Sequence, residues 1–250
     1  MSLALLLAAA AAGALPICTD RPARGNAVCT VPAGRLQLES SLIDWTRAEA
    51  GGVTAKTLLA GSSVLKLGLS DRSDLQFGFT PYVRVESGGR ARSGVGDVMV
   101  RYKHRLTAAD APVQAALIPF VKLPTARRGI GNGKTEGGLA APISIALAGP
   151  VTATVGPELD VLADGDGHGR HLGLVNLVNL SAAVAPRLTL AGELWSNLNF
   201  DPGGTLQQAS ADAAAAYAVS EAIQIDGGLN LGLTRDTPDI ELYAGFSKRF

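Results

Sequence analysis

Hydrophobic and polar side chains alternate along most of the chain after Arg35, in runs of about ten residues separated by short polar or Gly/Pro breaks. Residues 75–86 are the clearest run, because every second residue from Leu75 to Val85 is apolar or proline. The residues between them are mostly polar. Successive side chains of a β-strand point to opposite faces, so each run predicts a strand with one apolar and one polar surface.

The pattern predicts about twelve strands and no long helix. One run, 172–185, alternates poorly because Asn176 and Asn179 have opposite parity, and we expect a bulge or a looser register there. Short breaks alternate with mostly longer, glycine-rich links, the longer ones being 87–94, 125–138, 163–171, 201–207 and 235–238. The predicted strands are 35–46, 53–68, 75–86, 95–106, 113–124, 139–149, 151–162, 172–185, 187–200, 208–219, 222–234 and 239–250.

Three features favour an antiparallel up-and-down transmembrane β-barrel over a secreted β-sandwich. Runs of about ten residues suit a tilted strand that crosses a membrane, whereas sandwich strands are usually shorter. Charges of both signs occupy the polar faces, as in a hydrated lumen. The chain ends on Phe250, in phase with the apolar face of the last run, which resembles the ending that barrel-assembly machinery reads. The sandwich is the alternative.

Charged residues on the polar faces are the candidate lumen and selectivity residues. We expect Glu158 and Glu193 to pair across the interior with basic side chains such as Arg101 or Lys122, since an unpaired charge in a narrow barrel is costly. The complete candidate set is Arg84, Glu86, Asp97, Arg101, Lys103, Lys122, Glu158, Asp160, Glu193, Asp226, Glu241 and Arg249.

The amino-terminal region predicts export. Residues 3–12 are an uninterrupted Leu/Ala run followed by Gly13-Ala14, which indicates a signal peptide over residues 1–14. Cys18 and Cys29 follow closely, and an oxidising periplasm favours a disulfide between them. We therefore expect a periplasmic segment at 15–34, placed at the barrel mouth or entering it as a small plug, and a barrel over 35–250.

Composition agrees with dispersed apolar positions. Hydrophobic residues make up 47% of the 250-residue chain and charged residues 18%, yet no stretch is long enough for a transmembrane helix. Lys+Arg and Asp+Glu balance at 22 each, so no overall charge favours nucleic acid, and we expect no nucleic-acid partner. No pattern indicates a cofactor.

Candidate chemistry beyond the lumen is sparse. The segment 164–171 brings Asp164, Asp166, His168 and His171 together, a weak candidate metal site without EF-hand spacing. The glycine-rich stretch 128–135 departs from P-loop spacing and predicts a surface loop. His104 shares parity with outward-facing residues and has no nucleophile motif near it, so we expect no enzyme activity.

Several separated stretches resemble the family labelled putative MetA-pathway of phenol degradation, whose members are usually called transporters. They are 94–103, 119–125, 136–138, 224–234, 238–239 and 244–250. The resemblance implies an outer-membrane barrel and passage of small organic compounds, and it brings no catalytic residues.

We therefore expect a porin-like channel in the Gram-negative outer membrane that passes small solutes, aromatic or hydrophobic ones among them. Its expected partners are outer-membrane lipid, the solute, and the barrel-assembly machinery through Phe250. The alternative is a non-transporting structural or adhesive barrel that acts through its surface loops.

Overall fold

The computed structural model describes residues 17–250, and the predicted signal peptide at 1–14 lies outside the described residues. Within that range the chain contains strands, turns and loops and no helix. The segments are β1 (Leu36–Ala50), β2 (Val53–Ser70), β3 (Ser73–Phe79), β4 (Tyr82–Ser87), β5 (Arg90–Gly94), β6 (Val98–Arg105), β7 (Val113–Leu123), β8 (Glu136–Ala140), β9 (Ile143–Ala146), β10 (Val151–Val155), β11 (Glu158–Ala163), β12 (Arg170–Ala185), β13 (Leu188–Asn199), β14 (Leu206–Ser220), β15 (Ile223–Gly232) and β16 (Ile240–Arg249).

These segments form one closed antiparallel barrel of twelve long strands. Four of the twelve are interrupted and therefore appear as two segments each: β3 with β4, β5 with β6, β8 with β9, and β10 with β11. β1 pairs with both β2 and β16, which closes the sheet. Closure pairs the backbone N–H and C=O groups of both edges. The predicted fold class is confirmed.

The strand bounds lie within a few residues of the predicted ones, with one larger difference. The link expected at 87–94 is a two-residue turn, because Gly88 and Gly89 adopt positive φ angles of 55° and 74° and let β4 pair directly with β5. We call the end of the barrel that carries Leu36, Arg249 and the 71–72 and 186–187 turns the turn end. The opposite end, which carries the 124–135, 164–169 and 233–239 loops, is the loop end.

The face pattern of the third long strand reverses at Pro81. Before it, Asp74 and Gln76 are buried and Phe77 is exposed. After it, Val83 is buried while Tyr82 is exposed. Pro81 has no backbone N–H to donate to a ladder, and β3 ends at Phe79 before β4 starts at Tyr82. The alternation reverses across residues 80 and 81, which lie outside the ladders, although the register with β2 continues unchanged from Ser63–Phe79 to Ala60–Tyr82. The single run predicted over 75–86 is therefore wrong in its second half.

The run predicted to hold a bulge, 172–185, does have a register shift against β13, but it lies between Ala183 and Ala185 and not near Asn176. The ladders of β12 with β10, β11 and β13 run without a shift from Gly173 to Ala183. Asn179 points inward and donates to Glu193, 3.2 Å away, whereas Asn176 is exposed on the outer face. The strand looked irregular near its centre because Asn176 is a polar residue on the outer face and Leu177 is an apolar residue on the inner face.

The barrel has an apolar outside and a polar inside. Inward positions of many strands carry buried polar side chains, so the apolar surface covers the wall and not the centre. Exposed outward residues include Phe77, Tyr102, Leu172, Val178, Leu180, Leu190, Leu194, Ile225, Leu231 and Leu242. Buried inward residues include Gln37, Glu39, Lys66, Gln76, Lys103, Asp212, Gln224, Asn230 and Ser247. Residues 17–250 contain no helix long and apolar enough to span a membrane.

Candidate functional site

Residues 17–34, which we call the N-terminal segment, lie inside the barrel. The segment leaves β1 at the turn end, where the N–H of Gly34 donates to the carbonyl of Gly68 at 2.9 Å. Val28 and Val31 are buried, and the N–H of Val31 donates to Asp74 of β3 at 3.0 Å. Of the two placements expected from the sequence, at the mouth or inside the barrel, the structure has the second.

A disulfide between Cys18 and Cys29 closes the segment into a loop, as expected. The loop is dense in charge, with Asp20, Arg21 and Arg24 between the two cysteines. The Cys18 carbonyl accepts a hydrogen bond from Gln37 of β1. The cross-link holds the three charged side chains on a compact body that fits between the walls.

Asp20 faces the basic part of the lumen. Its carboxylate lies 2.6 Å from Nζ of Lys66 and 2.7 Å from Nζ of Lys103, and both lysines are almost completely buried. Arg101 lies 3.9 Å away. Burial on its own would raise the pKa of Asp20, but Lys103 and Lys66 outweigh it and hold that pKa well below its ordinary value. We call Lys66, Arg101 and Lys103 the basic wall.

Arg21 faces the other side of the lumen. Its guanidinium grips Asp226 of β15 through two nitrogens, with Nη2 at 2.6 Å and Nε at 3.0 Å from Oδ1. The Arg21 carbonyl accepts a hydrogen bond from Gln224 at 3.2 Å. The guanidinium also lies 5.9 Å from the centre of the Tyr243 ring. Two donors on one carboxylate give both charge pairing and a fixed orientation.

Arg24 reaches further into the same side. Its Nη2 lies 2.5 Å from Glu241 and its Nε 3.3 Å from Asp212. The guanidinium stands over the ring of Trp195, 4.7 Å from its centre, within cation–π range. The backbone N–H of Arg24 donates to Glu193 at 3.1 Å. These carboxylates lie on the consecutive strands β13–β16, and we call Glu193, Asp212, Asp226 and Glu241 the acidic wall.

A second ionic cluster lies nearer the loop end. Lys122 of β7 lies 2.8 Å from Glu136 and 3.3 Å from Asp97. Asp97 also accepts the N–H of Ala126 at 2.8 Å, and Lys122 donates to Asn132 at 2.8 Å. The cluster therefore ties the 124–135 loop to the inside of the wall.

Most predicted lumen residues lie on inward strand positions. Arg101 and Lys103 belong to the basic wall, Glu193, Asp226 and Glu241 to the acidic wall, and Asp97 and Lys122 to the loop-end cluster. Glu158 and Asp160 follow the inward register of β11, opposite Val175 and Gly173. Arg249 pairs with Gln37 at the turn end. Their role in selectivity stays a prediction.

Arg84 and Glu86 are the exceptions, and their predicted place in the lumen is wrong. Their side chains are 43% and 42% exposed and hydrogen-bond to each other at 2.7 Å. Both lie past Pro81, where the alternation has reversed and Val83 takes the inward position. They therefore lie on the outer surface towards the loop end, beside Lys56, which pairs with Glu86 across the ladder.

Interior charge pairs join the wall to the N-terminal segment and also join strand to strand, as in Lys66–Glu39 at 2.5 Å and Lys122–Glu136 at 2.8 Å. The strand-to-strand pairs expected for Glu158 and Glu193 do not form among the described residues. Glu193 receives backbone donors of the segment, and Oδ1 of Asp160 is buried without a hydrogen-bond partner. Sequence reasoning missed Asp20, Arg21 and Arg24 as site residues. The sequence does show three charged residues between Cys18 and Cys29. They could have been paired with the oppositely charged residues on the polar faces of the predicted strands.

The wall residues missed by the sequence reasoning are Gln37, Glu39, Lys66, Asp212 and Gln224. Each occupies the polar parity of its strand, so a consistent register applied to every strand would have found them.

The weak metal candidates form a loop-bracing contact. Nδ1 of His171 lies 2.9 Å from Asp164 and 3.8 Å from Asp201 of the next loop. The N–H groups of Gly203 and Gly165 donate to Asp201 and lower its pKa. His168 is exposed. No group of three or more His, Cys, Asp or Glu side chains in residues 17–250 has a geometry that could hold a metal ion.

The histidines differ in position. His104 lies on the outward parity of β6 as expected and stacks on Tyr102 with ring centres 6.3 Å apart. β12 starts at Arg170, two residues before the predicted strand, and therefore also includes His171.

Solved structures with this fold are membrane barrels. An outer membrane channel from Pseudomonas putida F1 superposes with a TM-score of 0.75 at 16% identity, over 92% of this chain and 100% of that one. The NanC porin gives 0.56 at 10% identity, over 85% and 98%. The translocator domain of autotransporter NalP from Neisseria meningitidis gives 0.55 at 14% identity, over 88% and 90%. These similarities establish the fold.

Sequence comparison gives a family match and no curated relative. The profile of the family described as "Putative MetA-pathway of phenol degradation" matches residues 19–250. No curated protein matches the chain in sequence.

Proposed function

Because the chain belongs to the family described as "Putative MetA-pathway of phenol degradation", we propose that it is an outer-membrane channel for small solutes, aromatic or hydrophobic ones among them. The observation that carries the proposal is a closed barrel whose interior is lined by opposed charged walls. A barrel that served only as a scaffold would have no need of an acidic and a basic wall across its centre.

The N-terminal segment is the narrowest part of the proposed path. It spans the lumen from the basic wall at Lys103 to the acidic wall at Asp226. Cavities of about 240 and 260 Å³ remain beside it, lined by Asp20, Arg21 and wall residues. Solutes small enough for these spaces pass beside the segment, and larger ones pass only when it is displaced.

The proposal includes an orientation in the outer membrane. The apolar outer face contacts lipid, the turn end faces the periplasm, and the longer loops face outwards, as in bacterial barrels generally. Phe250 is 55% exposed, and its N–H donates to Leu36 at 2.8 Å, so the ring lies at the β1–β16 closure. There it is available to the barrel-assembly machinery.

Planar-bilayer recordings test the channel. The intact protein should give small, discrete currents, and a protein lacking residues 15–34 should give clearly larger ones because the segment no longer fills the lumen. A double Cys18→Ser, Cys29→Ser variant should have an intermediate conductance. A disulfide that closes a loop of this length stabilises the folded segment by roughly 3 kcal/mol, so the segment is less firmly held without it. Equal conductance with and without residues 15–34 would show that the segment does not limit the path.

The non-transporting barrel is the other outcome of the same measurement. If neither the intact protein nor the shortened one conducts at any voltage, although both show a heat-modifiable band in the outer-membrane fraction, the channel proposal fails and a structural or adhesive barrel remains.

A further inference from the structure

The acidic wall offers more hydrogen-bond acceptors than the N-terminal segment uses. Arg24 places one nitrogen on Glu241 and one on Asp212. Asp212 also interacts with the Ser210 hydroxyl, but neither of its buried carboxylate oxygens has a hydrogen bond of good geometry. Oδ1 of Asn230, a residue only 3% exposed, also has no partner. Buried acceptors of this kind are costly unless a donor is supplied.

An aromatic ring completes the arrangement. Trp195 presents its face to the Arg24 guanidinium at 4.7 Å from the ring centre, on the same side as the carboxylates. Tyr243 presents its ring to Arg21 in the same way. Planar cations with several N–H donors match carboxylates and aromatic faces together, which neither a metal ion nor a neutral solute does.

The chain therefore already contains a bound example of the ligand class. Arg24 enters the site as a guanidinium at the tip of a short disulfide loop, and not as part of the wall. A cavity of about 260 Å³ reaches Asn230 and Glu241 of this set and is lined also by Asp44 and Tyr243, with Arg21, Arg24 and Arg101 as its cationic neighbours. A small organic cation can reach the open Oδ1 of Asn230 from this cavity, and Asp212, which does not line it, becomes accessible when Arg24 is displaced.

We propose that Glu193, Asp212, Asn230, Glu241 and Trp195 form a binding site for small organic cations of the guanidinium type, which Arg24 fills when no such solute is present. That the site lies on a transport path rests on the proposed channel function. The binding itself does not. Solutes of this class compete with Arg24 and so both bind the wall and loosen the segment.

Fluorescence of Trp195 tests the binding without any transport. The chain has two tryptophans, and Trp45→Phe leaves Trp195 as the single reporter. The Trp45→Phe, Arg24→Ala protein in detergent is titrated with methylguanidinium and, as a neutral control of the same shape, with N-methylurea. We expect a saturable fluorescence change with methylguanidinium alone, and roughly tenfold weaker binding when Arg24 is present.

Two further variants keep the test decisive. Asp212→Asn with Glu241→Gln in the Arg24→Ala background should abolish the response, because the charges that attract the cation are gone. Arg24→Gln replaces Arg24→Ala if the latter loses heat-modifiable folding. An equal response to N-methylurea, or no saturable response in folded Arg24→Ala and Arg24→Gln proteins, would overturn the site.

Bilayer recordings with the same cation separate the two proposals. If methylguanidinium binds but no variant conducts, the site stands and the channel fails. If the channel conducts but Trp195 does not respond, the channel stands and the cation site fails.

Discussion

Gly68 lies where the N-terminal segment passes over the inner wall of β2. A Cβ atom built at this position would lie 2.0 Å from the carbonyl oxygen of Pro32. That oxygen belongs to the backbone, so it cannot move aside as the end of a flexible side chain could. The wall and the segment therefore approach each other as closely as glycine allows.

We expect Gly68→Ala to displace the segment while the barrel stays folded. Bilayer conductance should rise towards that of the protein lacking residues 15–34, with heat modifiability unchanged. Gly192→Ala is the matched control, because a Cβ there meets nothing within 4 Å. Unchanged conductance in Gly68→Ala would mean that the contact with Pro32 does not hold the segment.

Asp20 is the counterion of buried Lys103, and it shares buried Lys66 with Glu39, which lies 2.5 Å from the Lys66 ammonium. Asp20→Asn leaves Lys103 without a carboxylate within salt-bridge distance in the described part of the chain, and breaking a buried pair costs about 3–5 kcal/mol. We expect the segment to loosen, measured as faster trypsin cleavage after Arg24. Asp110→Asn, in an exposed turn, is the control. Equal cleavage rates in Asp20→Asn and the unmodified protein would contradict the prediction.

The lowered pKa of Asp20 gives this contact a pH dependence of defined sign. Because the pKa is lower in the docked state, the contact is fully stabilising above the ordinary value of 3.8 and is lost as the pH falls below it. Trypsin is inactive there, so conductance is the measure: it should stay constant down to about pH 4 and rise as the pH falls further. Asp20→Asn should show a smaller rise, since only the other carboxylates still titrate; an identical rise would exclude Asp20 as the cause.

At the scale of elements, the third long strand shows what alternation can and cannot predict. The strand itself, its length and the inward Gln76 follow from the period-two pattern. The reversal at Pro81 does not, because apolar Val83 and Val85 continue the outward series in sequence while turning inward in the barrel. A proline inside a predicted strand is the one visible warning.

Cysteine labelling tests this reversal. Arg84→Cys should react with a charged, membrane-impermeant thiol reagent without changing conductance, because its side chain lies on the outer surface. Val83→Cys should lose conductance after the same reaction. The native cysteines are joined in a disulfide and do not compete for reagent. The opposite result would return Arg84 to the lumen, as the sequence alone predicted.

β12 shows the opposite difference between sequence and structure: the sequence pattern looks irregular where the strand is regular. Its ladder is regular from Gly173 to Ala183, and the sequence looked irregular there because Leu177 points into the barrel. That inward leucine packs against the N-terminal segment, where a Cβ at Gly25 would lie 3.1 Å from its side chain. An apolar residue on the lumen face therefore indicates that another part of the chain packs inside the lumen. The periodicity of a single strand cannot predict that packing.

At the scale of the whole molecule, strand number, closure and the turn-end position of both described chain ends follow from the sequence pattern. The pairing of Asp20, Arg21 and Arg24 with the two walls does not follow from the sequence pattern. The basic wall, on β2 and β6, is far in sequence from the acidic wall, on β13–β16, and both are far from the N-terminal segment. Lys66 and Lys103 share Asp20, whereas Asp212 and Glu241 share Arg24. Only the closed barrel brings these sets to a common centre.

Continuity of the N-terminal segment with β1 has a consequence for any solute that competes with it. Arg24 is tethered to its own site through a few residues, so its effective concentration there is set by the chain and is of millimolar order or higher for a tether this short. A competing cation therefore binds with an apparent dissociation constant raised by the ratio of that effective concentration to the dissociation constant of Arg24 for the site. If the barrel conducts such cations, their entry should be half-maximal only at concentrations well above the intrinsic dissociation constant of the site.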